Sequence, residues 1–479
     1  MKNEKLLVAL VPFSLFFYLF LLGLNSTKPL PITFDSAMHA LIVDPVISSQ
    51  VYPLTWLPLV KTQYTYPPLF HWISFIFIFV GAKAIQSVNF LGIFFYAIFP
   101  ILAYKLGSIW GKRIAFFSAL VSVGVTSLSY VFAVGEYPQL LAMDLSIIFL
   151  YFLLKKDFVK AGLFLGLASL SHAFIPVYFL PFLLFYSIFS FLKTKNKKAI
   201  FGMLKLFLIS LIVCSIWLYQ YFSIVINATT GKWMNVRWYP KSIIRTFNEI
   251  KTFFLNFNFE TRLHPTLFFL SMLGSVLMIR KKEFFIPFLL FYTILFCILH
   301  VPGTQLKFQD MLALPVIIPI SFGLDFILSF LKKKSLGIAT VLFLIALNLP
   351  NPWLYLEHTK KCCTQAEVPD ERGMKSAEWL ASYDYNYSRI LVAKPYEVWF
   401  SVISHKYPMD VMLTDIEAYS EEAKEMVNDR KIIIQKIEGG EDFSYLLKKH
   451  EIKYLVVENV SLNYEEIFST NGLKIYKVS

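Results

Sequence analysis

The chain has 479 residues, of which 57% are hydrophobic and 16% charged, with a formal net charge of +13. Apolar runs long enough to cross a hydrocarbon core of roughly 30 Å recur along it, which excludes a soluble globular enzyme and indicates a polytopic membrane protein. The positive excess lies in short Lys/Arg clusters between these runs, where it sets membrane topology and does not mark a nucleic-acid surface.

Residues 6–24 form the first run; its Lys-bearing start lacks a small-residue cleavage site, so it reads as a retained helix and not a signal peptide. Further spans are expected near 87–106, 114–133, 137–154, 159–172, 174–192, 200–222, 266–280, 284–300, 310–330 and 335–350, giving eleven crossings. The segment 67–82, PPLFHWISFIFIFVGA, is apolar but short for a crossing. Leaving it out puts the clusters at Lys2/Lys5, Lys105/Lys112/Arg113, Lys155/Lys156/Lys160, Lys193 to Lys198, Arg280 to Lys282 and Lys332 to Lys334 on one side. The positive-inside rule then predicts a cytoplasmic N-terminus and an external C-terminus in the cell membrane.

This topology gives the external face residues 25–86, the turns at Gly135 to Pro138 and Ser171 to Ala173, a loop after Tyr221, and the turn at 301–309. Asn-x-Ser/Thr sequons beginning at Asn25, Asn227, Asn386 and Asn459 all fall on that side. Of the four cysteines, Cys214 and Cys297 lie in spans and Cys362 and Cys363 are vicinal, so no zinc or disulfide framework is legible.

Beyond the membrane region, 1–350, composition changes through a linker at 351–370 and charged residues become frequent. In 371–479, MKSAEWLASY, 416–428 and DFSYLLKKH read as helices, and RILVAKP, KIIIQKI, IKYLVVENV and GLKIYKVS as strands. Such alternation predicts a small external α/β domain.

An ionisable group at the rim of a membrane is costly without a partner or water, which directs attention to the external turns. Asp35 and His39 stand in TFDSAMHA just after the first span, and Tyr66 and His71 in YTYPPLFHW. Glu136 occupies AVGEYPQLL and His172 GLASLSHAFIP, with Asp144 about two turns deeper than Glu136. The plain alternatives are helix capping by Asp35 and Glu136 and a structural role for His172. Against them stands a coincidence: Asp35, Glu136 and His172 each sit at the external end of a different expected span, where convergent side chains would line one cavity. A phosphate-bearing substrate needs cations, for which Lys61, Arg237 and Lys307 are candidates; GTQLKFQDMLALP brings Lys307 and Gln309 to the lip of a span. A divalent cation such as Mg or Mn, held by Asp35 and Glu136, stays open because the spacing is not diagnostic.

Asp35 after the first span, YPPLF closing the first external loop, Glu136 in the second, GLFLGLASLSH and the late LKFQDMLALP together resemble the GT-C type of polyprenyl-phosphate-sugar-dependent glycosyltransferases. That group includes dolichyl-phosphate-mannose protein mannosyltransferases, aminoarabinose transferases of lipid A and oligosaccharyltransferase catalytic subunits. The external α/β tail is similar to those of archaeal membrane proteins of this type. The resemblance implies a GT-C-like fold, Asp35 as the catalytic carboxylate and Glu136 as the acidic position of the second external loop. It also implies a polyprenyl-phosphate-linked sugar donor and a protein, lipid or glycan acceptor. Two departures stand out: Asp35-Ser36 where relatives often have Asp-Glu, and Tyr66-Pro67-Pro68 where many have Lys-Pro-Pro, so that Lys61 or Lys307 would have to meet the phosphate. The competing expectations are a transporter or flippase of a lipid-linked solute, and a non-catalytic membrane scaffold.

Overall fold

The computed structural model describes residues 34–44, 67–123, 125–133, 135–195, 197–229, 265–298, 305–330, 369–386, 388–394, 396–409 and 421–478. These residues belong to two compact units. The first draws on Leu91–Leu218 and Asn235–Glu357, with Met1–Asn25; the second draws on Ser26–Phe90, Tyr219–Met234 and His358–Ser479. The expected first and last spans, 6–24 and 335–350, lie outside the described residues.

The described residues begin with α1 (Phe34–Val43) and α2 (Leu69–Phe79), then α3 (Ala84–Gly107). Eleven residues of α2 rise only about 16 Å, well short of the hydrocarbon core. The bundle continues with α4 (Lys112–Val123), α5 (Thr126–Ala133), α6 (Tyr137–Leu154), α7 (Phe158–Ser171), α8 (Phe174–Thr194) and α9 (Lys197–Thr229). It closes with α10 (Pro265–Arg280), α11 (Phe285–Ile298), α12 (Gln305–Asp310) and α13 (Ala313–Phe330). Among the described residues, Ala84–Trp110, Tyr137–Leu154, Phe174–Leu192 and Phe308–Ser329 are long and apolar enough to cross a membrane, and five shorter apolar helices accompany them. On α8, Val177, Leu180, Leu184 and Ile188 are exposed at helical spacing, the stripe a lipid-facing surface requires.

Two expectations need correction. The span at 114–133 is two helices, α4 and α5, with Val125 between them in neither. The span expected at 310–330 falls within Phe308–Ser329, with a turn at Met311 and Leu312 between α12 and α13. Helix α9 runs on to Thr229, so Asn227 is helical and not in a loop.

Small residues bring the bundle helices together. A Cβ on Gly274 of α10 would collide with the Pro319 carbonyl oxygen of α13, and one on Gly323 of α13 would lie 2.5 Å from the Leu270 carbonyl oxygen. Gly162 and Gly166, a Gly-x-x-x-Gly pair on α7, meet the Leu206 and Ser210 carbonyls of α9 in the same way.

In the second unit the C-terminal part contains α14 (Glu371–Tyr383), β1 (Arg389–Val392), α15 (Glu397–Ser404), β2 (Tyr407–Pro408), α16 (Glu421–Gly439), α17 (Ser444–Lys449), β3 (Ile452–Glu458), β4 (Glu465–Thr470) and β5 (Leu473–Lys477). The sheet order is β2-β1-β3-β5-β4, parallel across β2, β1 and β3 and antiparallel for β5 and β4. Residues 431–437, expected as a strand, are helical within α16. Met426, Ile433 and Ile437 are its buried apolar positions, and this helical period outweighs the β-branched isoleucines.

Helix α15 is fixed to the sheet by a buried ion pair. Both oxygens of Glu397, which is 2% exposed, are used: one accepts from the Met409 amide and the other from Arg430 Nε, each at 2.7 Å. Arg430 Nη2 also donates to the Val392 carbonyl at 3.2 Å. Asp384 accepts from Tyr454 and Lys453; burial works against its charge, but these hydrogen bonds hold its pKa at about 2.

Candidate active site

The expected site residues fall into two groups, one in each unit. Helix α1 opens at Phe34, which puts Asp35 inside the first turn and not at the capping position before it. The side chains of Asp35 and Lys307, and all of Lys61, Tyr66 and Arg237, lie outside the described residues.

From Ser36 to Asp44 every residue of the α1 segment is buried, an enclosure on all sides that an ordinary amphipathic surface helix lacks. His39 stands one helical turn after Asp35. Its Nδ1 lies 3.2 Å from Nε2 of His71 at the start of α2, and the rings are tilted by 47° with centroids 5.3 Å apart. Pro67 and Pro68 open α2, where fixed φ angles and missing amide protons cost a helix nothing, and so deliver His71 into its first turn. One imidazole must donate and the other accept, so the two rings cannot both be protonated. Burial first, and the neighbouring His39 second, push the His71 pKa well below 6.5.

In the first unit the basic clusters gather at one end of the bundle. Lys105 lies over the Tyr151 ring and Lys160 over Phe152, each 5.2 Å from the centroid, so the end of α3, the end of α6 and the start of α7 share a level. Arg113 pairs with Asp325 at 3.8 Å and Lys281 lies 5.1 Å over Phe322, while the Trp110 and Phe322 rings join the two sets edge to face.

Glu136, His172 and Gln309 occupy the opposite end. Glu136 is the residue before α6, with Pro138 in the first turn, and its side chain makes no capping hydrogen bond. His172 ends α7; its Nδ1 accepts from the Phe174 amide at 3.2 Å, so it joins two helices as a structural residue does. Phe308 packs edge to face on Phe174, 5.1 Å between centroids, and α12 packs against α5, which brings the buried Gln309 to the same end. Asp144, 4% exposed within α6, has no hydrogen-bond partner for either carboxylate oxygen among the described residues.

No group of three or more His, Cys, Asp or Glu side chains among the described residues is arranged to hold a metal ion. Sequence reasoning missed Asp44, the next acid after Asp35. Its buried carboxylate lies 3.1 Å from Nδ1 of His405, which follows α15, and no spacing rule could join residues 361 positions apart.

No protein-family model matches the chain, and no curated protein matches it. Solved structures do match it, among them two that align over its whole length. ArnT from Cupriavidus metallidurans in the apo state aligns with 100% of this chain and 98% of its own, at 11% identity and a TM-score of 0.59. The same protein bound to undecaprenyl phosphate aligns over the same shares, at 11% identity and a TM-score of 0.60. The chain thus has an ArnT-like fold over its whole length.

Proposed function

We propose that the chain is an integral-membrane glycosyltransferase that moves a sugar from a polyprenyl phosphate carrier to an acceptor on the external face, with Asp35 as general base. The observation that carries this reading is the full-length likeness to ArnT, whose crystal structure holds undecaprenyl phosphate. It agrees with the family resemblance of the residues around Asp35, Glu136 and Gln309.

In the proposed reaction an acceptor hydroxyl attacks the anomeric carbon while its proton passes to the Asp35 carboxylate. The bond from that carbon to the phosphate oxygen breaks on the opposite side, its electron pair stays with the phosphate, and configuration inverts. Polyprenyl phosphate leaves as a stable anion and needs no acid. Lys61, Arg237 and Lys307 are proposed to meet the developing phosphate charge, an effect of about 3 kcal/mol per donor in a water-poor site. Glu136, Tyr66, His172 and Gln309 are proposed to orient donor and acceptor, and His39 and His71 to line the site behind Asp35.

The test is sugar transfer from a panel of radiolabelled polyprenyl-phosphate sugars to crude membrane acceptors by the purified protein, with and without Mg2+ or Mn2+. Asp35→Asn is expected to lower turnover by about 10²- to 10⁴-fold with the fold intact. Lipid binding without transfer by the wild-type protein under every condition would sink the reading in favour of a carrier or scaffold.

A further inference from the structure

Helix α1 is gripped from two sides by different parts of the second unit. His39 meets His71 of α2, and five residues on, roughly 140° around the helix, Asp44 meets His405. Helix α15, which His405 terminates in a left-handed conformation, packs along α1. It is in turn immobilised on the sheet through Glu397, Arg430 and the Met409 amide. The Asp44 carboxylate is 2% exposed, whereas the His405 side chain is 49% exposed. The contact is directional and its carboxylate is enclosed, so it restricts where the end of α1 can rest.

We infer that the soluble α/β domain sets the position of α1, and with it Asp35, through the Asp44–His405 contact, so that Asp44 and His405 are positioning residues for the transfer. The inference rests on the transferase reading. It makes the domain part of the catalytic framework and separates its role from acceptor binding: loosening the contact changes how often the base is in place, not how well the lipid donor binds.

The experiment compares His405→Ala and His405→Gln in the full-length protein in detergent. Both carry the same left-handed backbone, so their difference isolates the side chain, and only Gln keeps a hydrogen-bond donor. Amide hydrogen exchange of residues 34–44 and transfer kinetics are read together. The expected result is faster exchange in α1 for His405→Ala, a kcat about tenfold lower with an unchanged KM for the lipid donor, and recovery of both by His405→Gln. Unchanged α1 exchange in His405→Ala overturns the inference whatever the activity. So does loosened α1 with unchanged kcat, or an equal loss in both variants. Absence of transfer by the wild type overturns the transferase reading, and this inference with it, while the exchange data still report whether the contact holds α1.

Discussion

In the helix bundle, α10 and α13 meet where Gly274 lies under the Pro319 carbonyl, and α7 and α9 where Gly162 and Gly166 face backbone oxygens. In the second unit the corresponding work falls to polar contacts: Glu397 with Arg430, Asp384 with Tyr454 and Lys453, His39 with His71. The contrast follows from the solvent. Lipid offers apolar side chains no gain on leaving it, so helices cohere by close backbone approach. A domain facing water gains from burial and can also fix the angle of an element with a directional bond, provided both partners stay satisfied.

The sharpest way to break this contrast is Arg430→Ala. It takes the cationic partner from the buried Glu397 carboxylate, and a destabilisation of about 3–5 kcal/mol confined to the second unit is expected, read by hydrogen exchange of α15, β1 and β2 in the full chain. A uniform loss of protection across the bundle would contradict it. Next comes Gly274→Ala, whose methyl would meet backbone and not a flexible side chain. About 1–3 kcal/mol should be lost from the bundle in a denaturation series, with the second unit unaffected.

Acidification should then separate the regions without mutation. His71 has a depressed pKa when folded, so its contribution is complete above the usual 6.5 and is lost as pH falls below it. Melting of α1 and α2, followed by hydrogen exchange from pH 7.5 to 5, should show this, and His71→Phe should flatten it. The smallest effect belongs to Ser118→Ala. The hydroxyls of Ser118 and Ser321 are 3.1 Å apart between α4 and α13, and a loss near 0.6 kcal/mol is expected by double-mutant cycle with Ser321→Ala.

What the sequence made legible divides along the same line. The helix from Tyr137 to Leu154 was readable because Glu136-Tyr-Pro opens it and Lys155-Lys156 closes it around a run that is apolar apart from Gln139, Asp144 and Ser146. The break before Thr126 was not, because VSVGVTSLSYVF stays apolar through it and hydropathy carries no information on where a helix bends. KIIIQKI misled because a seven-residue window holds three strand periods but fewer than two helical turns; the helical period emerges only when Met426 joins Ile433 and Ile437. Of the candidate site, positions at helix ends could be read, since caps and turns are local. The pairing of His39 with His71 across 32 residues, and of Asp44 with His405, depends on how separate segments pack, and no local rule contains it.

The 361-residue separation between Asp44 and His405 also has a meaning in time. At about 5–20 residues per second of synthesis, α1 emerges some 20–70 s before α15 exists to cover it. For that interval a helix meant to be enclosed on every side has neither its contact with His405 nor its apolar cover. Newly made chains therefore pass through a state in which the segment holding Asp35 is open to proteases and quality-control factors, and ribosome-stalled chains ending before residue 405 should be cleaved there while finished ones resist.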